Sequence, residues 1–332
     1  MSVRNLTAGR NDGMLFPQGD VMEPIPLKKR YAHYFTDLQR LAKAADKIDN
    51  TNVYQKANEQ TRKIMDAMIG ENLLPGSGLQ GLEHFEAFYN ALREGKRALL
   101  LVEHFSNMDL PALCYLLDHC AKDFGPELSK RIVAIAGMKL NEANPMVKAW
   151  AEGFTRIVIY PSRSLAAITD PAEFEKESAK SRAINMASMR ALDRCKKEGN
   201  AVLVFPSGTR YRPGHPETRE GLREIDSYLR LFDVMLLVST NGNCLRINPE
   251  SPEDMLADLV YEDVVIMSAS PVFNCKEFRA QAMAEAPEDM EDKKPFVVDK
   301  IMQKLKEGHD AFRPRYLELY KAATGKESDY YV

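Results

Sequence analysis

The chain has 332 residues, 45% of them hydrophobic, and its 45 Lys and Arg against 48 Asp and Glu leave a net charge of −3. This balance predicts a globular protein with a sizeable core and argues against a nucleic-acid-binding protein. The apolar runs are much shorter than the roughly 20 residues of a membrane span, and the N-terminus lacks the apolar core of a secretory signal. Five cysteines without CxxC spacing predict neither a disulfide framework nor a zinc site, and they favour a reducing compartment.

The N-terminal part of the chain is predicted to be separate from the rest. Residues 1 to about 27 are rich in Gly and Pro and predict a loosely ordered arm. Residues 28–74 contain apolar side chains at helical spacing, which predicts two helices. The stretch LLPGSGLQG, residues 73–81, breaks this pattern. We therefore predict an arm and small helical domain over residues 1–75 and an α/β domain over residues 76–332.

Strands and helices alternate after this boundary, which predicts a mostly parallel central sheet flanked by helices. Helices are expected from about Leu82 to Glu94, Leu110 to His119, Asn144 to Ala151, and Pro171 to Lys197 behind an Asp170 N-cap. The predicted strands are Ala98–Val102, Ile132–Ala136, Arg156–Tyr160, Ala201–Phe205, Val234–Ser239 and Val264–Met267. Ligands of such sheets bind beyond the carboxyl ends of the strands, so the residues that follow each strand are the candidates for a site.

The stretch EHFSNMD, residues 103–109, places polar side chains directly after the first of these strands. In one interpretation Asp109 holds His104 in a single tautomer, which leaves the other ring nitrogen to accept a proton from a hydroxyl. In the other, Asp109 only caps the helix that begins near Leu110. The His-x4-Asp spacing alone does not decide between them.

The stretch FPSGTRYRPG follows the fourth strand and carries Arg210 and Arg212 beside the small residue Ser207. Two guanidinium groups beside accessible backbone N–H groups suit a phosphate dianion, and the alternative is a surface turn with solvated arginines. Arg163 and Ser164 follow the third strand and lie at the same predicted edge.

These segments resemble the glycerolipid acyltransferases. EHFSNMDLPALCYLLD is similar to the His-x4-Asp block of that family, and FPSGTRYRP is similar to its phosphate-binding block, especially in the soluble, plastid-type glycerol-3-phosphate acyltransferases. IAGMKLNEANPMVKAWAEGFTRIVIYPSR lies between them and is similar to the family's middle segment. The resemblance covers approximately residues 98–248.

The resemblance implies a role for each matching residue. His104 would be the general base and Asp109 its orienting partner. Arg163, Arg210 and Arg212 would bind the phosphate of the acceptor, with Ser164 and Ser207 beside them. Two positions depart from the family: Glu103 stands where Asn is common, and Ser164 stands where the plastid-type enzymes often have His.

The implied activity is transfer of an acyl group from acyl-carrier protein or coenzyme A to the sn-1 hydroxyl of glycerol 3-phosphate, the first step of phospholipid synthesis. No metal or organic cofactor is expected. The expected location is the cytoplasm or a plastid stroma, with peripheral membrane contact. Three alternatives stay open: acylation of 1-acylglycerol 3-phosphate, a non-catalytic phosphate- or lipid-binding module, and a thioester hydrolase.

Overall fold

The computed structural model describes residues 22–43, 47–138, 140 and 145–330. Residues 1–21 of the predicted arm lie outside the described residues. The last part of the arm differs from the prediction, because Ile25–Pro26 form a short strand. Within the described ranges, no helix combines the length and the apolar character needed to cross a bilayer.

The helices of the described residues flank a large sheet on both faces. In chain order they are α1 Leu27–Arg30, α2 Ala32–Leu41, α3 Glu59–Gly70, α4 Leu82–Arg93, α5 Asp109–Cys120, α6 Gly125–Arg131, α7 Pro145–Ala151, α8 Ser162–Ala166, α9 Pro171–Lys197, α10 Ile225–Leu231, α11 Cys275–Glu285 and α12 Lys294–Thr324.

The strands form one large and one small sheet. They are β1 Ile25–Pro26, β2 Tyr54–Gln55, β3 Gly78–Gln80, β4 Ala98–Val102, β5 Ile132–Gly137, β6 Arg156–Ile159, β7 Ala201–Val204, β8 Val234–Asn241, β9 Leu245–Arg246, β10 Leu259–Val260, β11 Ile266–Ala269 and β12 Phe273–Asn274. The large sheet has the order β2-β6-β5-β7-β4-β8-β11-β3, with β12 also on β8, and the small sheet has the order β1-β10-β9.

The centre of the large sheet is parallel, as predicted. Parallel pairs join β6, β5, β7, β4 and β8, so the carboxyl ends of these strands lie along one edge. The sheet becomes antiparallel where β11 pairs with β8 and where β2 pairs with β6. The α/β fold class is therefore confirmed, with mixed pairing at both sides of a parallel centre.

Alternation along β4 explains why helices cover both faces of the sheet. Leu100 and Val102 pack into a cluster with the helices α2 to α5 and α7, whereas Leu99 and Leu101 pack into a second cluster with α9 to α12. Successive side chains of a strand point to opposite faces, so a strand that is apolar at every position must be covered on both.

The N-terminal region shares a core with the sheet. Two helices occur as predicted, but the intervening residues also contribute β2 to the large sheet. Leu38 of α2 and Met68 of α3 belong to the same buried cluster as Leu100. The proposed boundary between residues 75 and 76 stays a prediction.

Sequence patterns missed one element at that boundary. Part of LLPGSGLQG forms β3, which pairs in parallel with β11 over three residues. Such a short strand cannot show the alternation that identifies longer ones, and the glycines around it indicate a loop. The bounds of the predicted helices and strands otherwise agree with the structure to within about two residues, apart from the shift of the last strand to β11.

Candidate functional site

His104 and Asp109 form a bonded pair at the carboxyl end of β4. Nδ1 of His104 lies 2.9 Å from Oδ2 of Asp109. The Asp109 side chain is 4% exposed and that of His104 is 15% exposed. Because an ionised carboxylate only accepts hydrogen bonds, the pairing assigns the proton to Nδ1 and leaves Nε2 of the neutral ring as an acceptor.

Asp109 does not act as a helix cap, so that interpretation of the sequence is wrong. It is the first residue of α5, and the capping position is held by Met108 without any side-chain cap bond. Oδ2 of Asp109 instead accepts the backbone N–H groups of Phe105 and Ser106, at 2.7 and 2.8 Å. The carboxylate therefore holds residues 105 and 106 in a tight turn and keeps Nδ1 of His104 within hydrogen-bond distance of Oδ2.

Two further contacts hold His104 to the segment that follows β7. The His104 ring stacks on Phe205 with a centroid distance of 3.9 Å and an angle of 12° between the rings. The backbone carbonyl of His104 accepts the N–H of Tyr211 at 2.8 Å. These contacts connect the two motifs of the sequence analysis directly.

The structure brings Arg163, Ser164 and Arg212 to the same cavity as His104. Arg163 is exposed at the start of α8, and none of the described residues forms an ion pair with it. Arg212 pairs with the exposed Glu253 at 2.8 Å. Both guanidinium groups are thus accessible to an anion, since an exposed ion pair is worth little and exchanges readily.

Arg210 and Ser207 are placed differently from Arg212. Arg210 is nearly buried and forms an ion pair with the fully buried Asp258. Burial raises the pKa of the Asp258 carboxyl, and the charge of Arg210 opposes that shift. Ser207 is buried and donates from Oγ to the carbonyl of Thr209 at 2.8 Å. Neither residue lines the cavity, whereas Arg212 does, and the phosphate-binding roles expected of Arg210 and Ser207 stay predictions.

Gly208 explains the tight course of this loop. Its φ is +64°, and a Cβ at this position would lie 2.3 Å from Cδ1 of Leu222. Any other residue here would have an unfavourable positive φ, and its Cβ would collide with Leu222 in the cavity wall. Thr209, the next residue, lines the cavity.

The cavity has a volume of about 820 Å³ and extends from the edge of the sheet into its apolar interior. It forms where the sheet pairing is interrupted: β5 pairs with β7 only over Ile132–Ala134, whereas its pairing with β6 continues to Gly137. Apolar side chains of both helical layers reach this opening, Trp150 from one and Met189 from the other. The volume is typical of a site for a small organic ligand.

Arg156 and His215 also border the cavity. Arg156 is buried at the start of β6, where burial lowers its pKa to about 10 and its Nη1 donates to the carbonyl of Ala151 at 2.8 Å. His215 is exposed and its Nδ1 lies 3.0 Å from Glu217. Within the described ranges, no group of His, Cys, Asp and Glu side chains has a geometry that could hold a metal ion.

Sequence reasoning missed the apolar lining of the cavity. Trp150, Met189 and Tyr228 come from three helices and Phe154 comes from the turn after α7, and each has the appearance of an ordinary core residue in the sequence. Helical spacing identifies the buried face of such a helix, but it does not tell whether that face meets a neighbour or an empty space.

Residues 80–231 match the sequence model of the acyltransferase family. No curated protein matches the chain. The matched range begins at the end of β3, ends with α10, and contains His104, Asp109, Arg163 and Arg212. The chain is therefore similar to the acyltransferase family over the range that contains the candidate site.

Proposed function

We propose that this protein transfers a fatty acyl group from acyl-carrier protein or coenzyme A to the sn-1 hydroxyl of glycerol 3-phosphate. One observation carries the proposal: His104, which is bonded to Asp109, borders a single cavity together with two accessible arginines and an apolar wall. These are the parts that the reaction needs, namely a base, an anion clamp and a place for an alkyl chain.

The proposed chemistry begins at Nε2 of His104. This nitrogen accepts the proton of the acceptor hydroxyl while the hydroxyl oxygen attacks the carbonyl carbon of the thioester. The tetrahedral intermediate then breaks its C–S bond, and His104 returns the proton to the leaving thiolate. Asp109 stabilises the imidazolium that exists between the two proton transfers, because its carboxylate contacts Nδ1 at 2.9 Å. The products are an ester and a free thiol.

The phosphate clamp of the proposal consists of Arg163 and Arg212. A phosphate dianion that bound Arg212 would replace Glu253, whose side chain is 78% exposed and returns to water at little cost. Binding of the phosphate restricts the position of the hydroxyl relative to His104, and such positioning provides a large part of the rate of group-transfer reactions. The acyl chain would occupy the apolar part of the cavity.

The two arginines of the FPSGTRYRPG loop are expected to respond differently to replacement. Arg212→Ala should raise the KM for glycerol 3-phosphate about 10- to 100-fold, the value of a lost charge-assisted bond, without a comparable change in the KM for the thioester. Arg210→Ala leaves Asp258 buried without its cation and should lower the free energy of unfolding by about 3–5 kcal/mol. Steady-state kinetics and urea unfolding measure these effects.

Arg223→Ala is the matched control, because Arg223 is exposed and paired with the exposed Asp292. It should change neither the KM for glycerol 3-phosphate nor the free energy of unfolding. If Arg210→Ala instead raises the KM for the acceptor and leaves stability unchanged, Arg210 belongs to the clamp as the family resemblance implies. An unchanged acceptor KM in Arg212→Ala contradicts the role proposed for Arg212.

Chain-length preference should respond to the volume of the cavity. Ala136 of β5 lines the opening, and Ala136→Phe fills part of it. We expect kcat/KM for a 16-carbon thioester to fall about tenfold or more relative to that for an 8-carbon thioester, because steric exclusion acts on the longer chain. Ala183→Phe on the exposed face of α9 should leave the ratio unchanged. An unchanged ratio in Ala136→Phe would place the acyl chain elsewhere.

One experiment separates the proposed reaction from the alternatives. The purified protein is offered glycerol 3-phosphate and 1-acylglycerol 3-phosphate in parallel, each with acyl-carrier protein and coenzyme A thioesters. Acylation of glycerol 3-phosphate supports the proposal, and acylation of only the other acceptor replaces it. Thioester cleavage without an acceptor indicates a hydrolase, and the absence of any turnover indicates a binding module.

The proposed reaction consumes the thioester as a co-substrate and uses neither a metal nor an organic cofactor. Its product is a lipid, so we propose a cytoplasmic or stromal protein with peripheral contact to a membrane. No nucleic acid takes part in it.

A further inference from the structure

Glu103, the residue immediately before the candidate base, is bonded to β8 twice. Its backbone N–H donates to the carbonyl of Val238 at 3.0 Å, which continues the pairing of β4 and β8 by one residue. Its Oε2 accepts the backbone N–H of Thr240 at 2.9 Å. The Glu103 side chain is 13% exposed. Its carboxylate is therefore held in the interior of the protein, next to β8.

His309 of α12 contacts the same carboxylate oxygen. Nδ1 of His309 lies 3.3 Å from Oε2 of Glu103, and the His309 side chain is 7% exposed. The His309 ring also meets the ring of Phe105 edge to face, with a centroid distance of 5.7 Å. His309 therefore contacts the residue before His104 and the residue after it.

The helix that carries His309 is firmly attached at this point. Ser239 donates from Oγ to the carbonyl of Leu305 at 2.6 Å, and the Asn241 amide donates to the carbonyl of His309 at 3.0 Å. Gly308 permits this approach, since a Cβ there would lie 2.6 Å from Oγ of Ser239. The position of His309 relative to β8 is thus set by hydrogen bonds from β8 side chains to backbone carbonyls of α12, and these bonds do not involve Glu103.

The burial of Glu103 requires a physical explanation. A buried carboxylate is costly unless hydrogen-bond donors satisfy it, and here the Thr240 N–H and the His309 ring do so. Successive side chains of an extended segment point to opposite sides. Glu103 faces β8 and α12, and His104 faces Phe205 and the cavity.

We propose that His309 is a positioning residue, which acts through Glu103 to hold His104 in register with Asp109 and the cavity. The inference rests on the proposed function, because it assigns His104 the role of base. With the pair intact, residues 103–105 are held on both sides: by α12 and β8 on one, and by Asp109 and Tyr211 on the other. Without it, residues 103–105 keep the two bonds of Glu103 to β8 but lose their contact with α12, and the Glu103 carboxylate is held by the Thr240 N–H alone.

Two amide variants test this role. In His309→Asn the amide nitrogen lies near the former Nδ1 and still donates to Glu103, whereas the longer side chain of His309→Gln places its amide near the former Nε2. We expect His309→Gln to lower kcat about 10- to 100-fold with both KM values within about twofold of the wild type, the effect of a displaced catalytic group. His309→Asn should restore kcat to within about threefold of the wild type. His119→Gln, on the exposed face of α5, is the matched control.

A second measurement is independent of activity. The Nδ1–H proton of His104 in its bond to Asp109 should give a low-field proton NMR signal in the wild type and in His309→Asn, and the signal should be weakened or lost in His309→Gln. Thermal unfolding of each variant identifies loss of folded protein.

Loss of kcat and of the NMR signal in His309→Gln, with rescue by His309→Asn, supports the proposal. Wild-type kcat in His309→Gln overturns it, and so does an equal loss in both variants, because the second result shows a packing role only. A wild type without acyl transfer overturns the proposed function, and the NMR comparison then decides separately whether His309 positions His104.

Discussion

His104→Ala should reduce kcat for acyl transfer by about 10²- to 10⁴-fold, the contribution that general base catalysis typically makes. The expected loss is in kcat, since the phosphate would still bind Arg163 and Arg212 and the acyl chain would still fill the apolar part of the cavity. The acceptor KM should therefore change much less than kcat. Steady-state rates with saturating glycerol 3-phosphate measure the effect.

Two comparisons make the His104 result interpretable. His119→Ala removes an exposed histidine from α5 and should have wild-type activity. Equilibrium binding of glycerol 3-phosphate to His104→Ala should be retained, which separates the loss of the base from a general collapse of the cavity. If His104→Ala keeps more than about a tenth of the wild-type kcat, His104 is not the base of a reaction that depends on proton removal.

Asp109→Asn should have the second-largest effect, with kcat lowered by about 10²- to 10⁴-fold. Oδ2 of Asp109 accepts His104 Nδ1 together with the N–H groups of Phe105 and Ser106. An amide oxygen in the same place accepts these bonds without the charge that stabilises the imidazolium. In the opposite orientation the amide NH₂ group faces Nδ1 and favours the tautomer in which Nε2 cannot accept a proton.

The same substitution should also lower stability. A weakened set of three bonds to a buried carboxylate costs about 1–3 kcal/mol of the free energy of unfolding, which urea titration would detect. Asp123→Asn changes an exposed carboxylate just beyond α5 and serves as the control. Wild-type kcat in a destabilised Asp109→Asn protein would mean that Asp109 shapes the loop without orienting His104 for catalysis.

Several parts of the fold and the site follow from local patterns in the sequence. The run Ala98–Val102 is apolar at every position, and this predicts a strand that is covered on both faces. Asp170 and Pro171 begin the long helix α9 as capping preferences predict. His104 and Asp109 are close enough in sequence that a single loop brings them together. Arg163 and Arg212 reach the cavity because each follows the carboxyl end of a parallel strand.

Other features depend on residues that are distant in the chain. Arg210 is equivalent to Arg212 in the sequence pattern, but a fully buried aspartate from the β9–β10 segment pairs with Arg210 alone. Glu103 looks like one more polar residue of a loop until α12 brings His309 to it from 206 positions away. The assignment of β3 likewise depended on β11, its partner strand.

The α/β class, the parallel centre of the sheet and the edge at which the polar side chains gather can be predicted from the sequence, because apolar periodicity, capping residues and the alternation of strands with helices are visible in local segments. The identity of the arginines that face the cavity, the depth of the cavity and the surroundings of Glu103 could not be predicted in this way. These features arise where two helical layers and an interrupted pair of strands meet, and the free energy of each contact depends on burial that distant segments create.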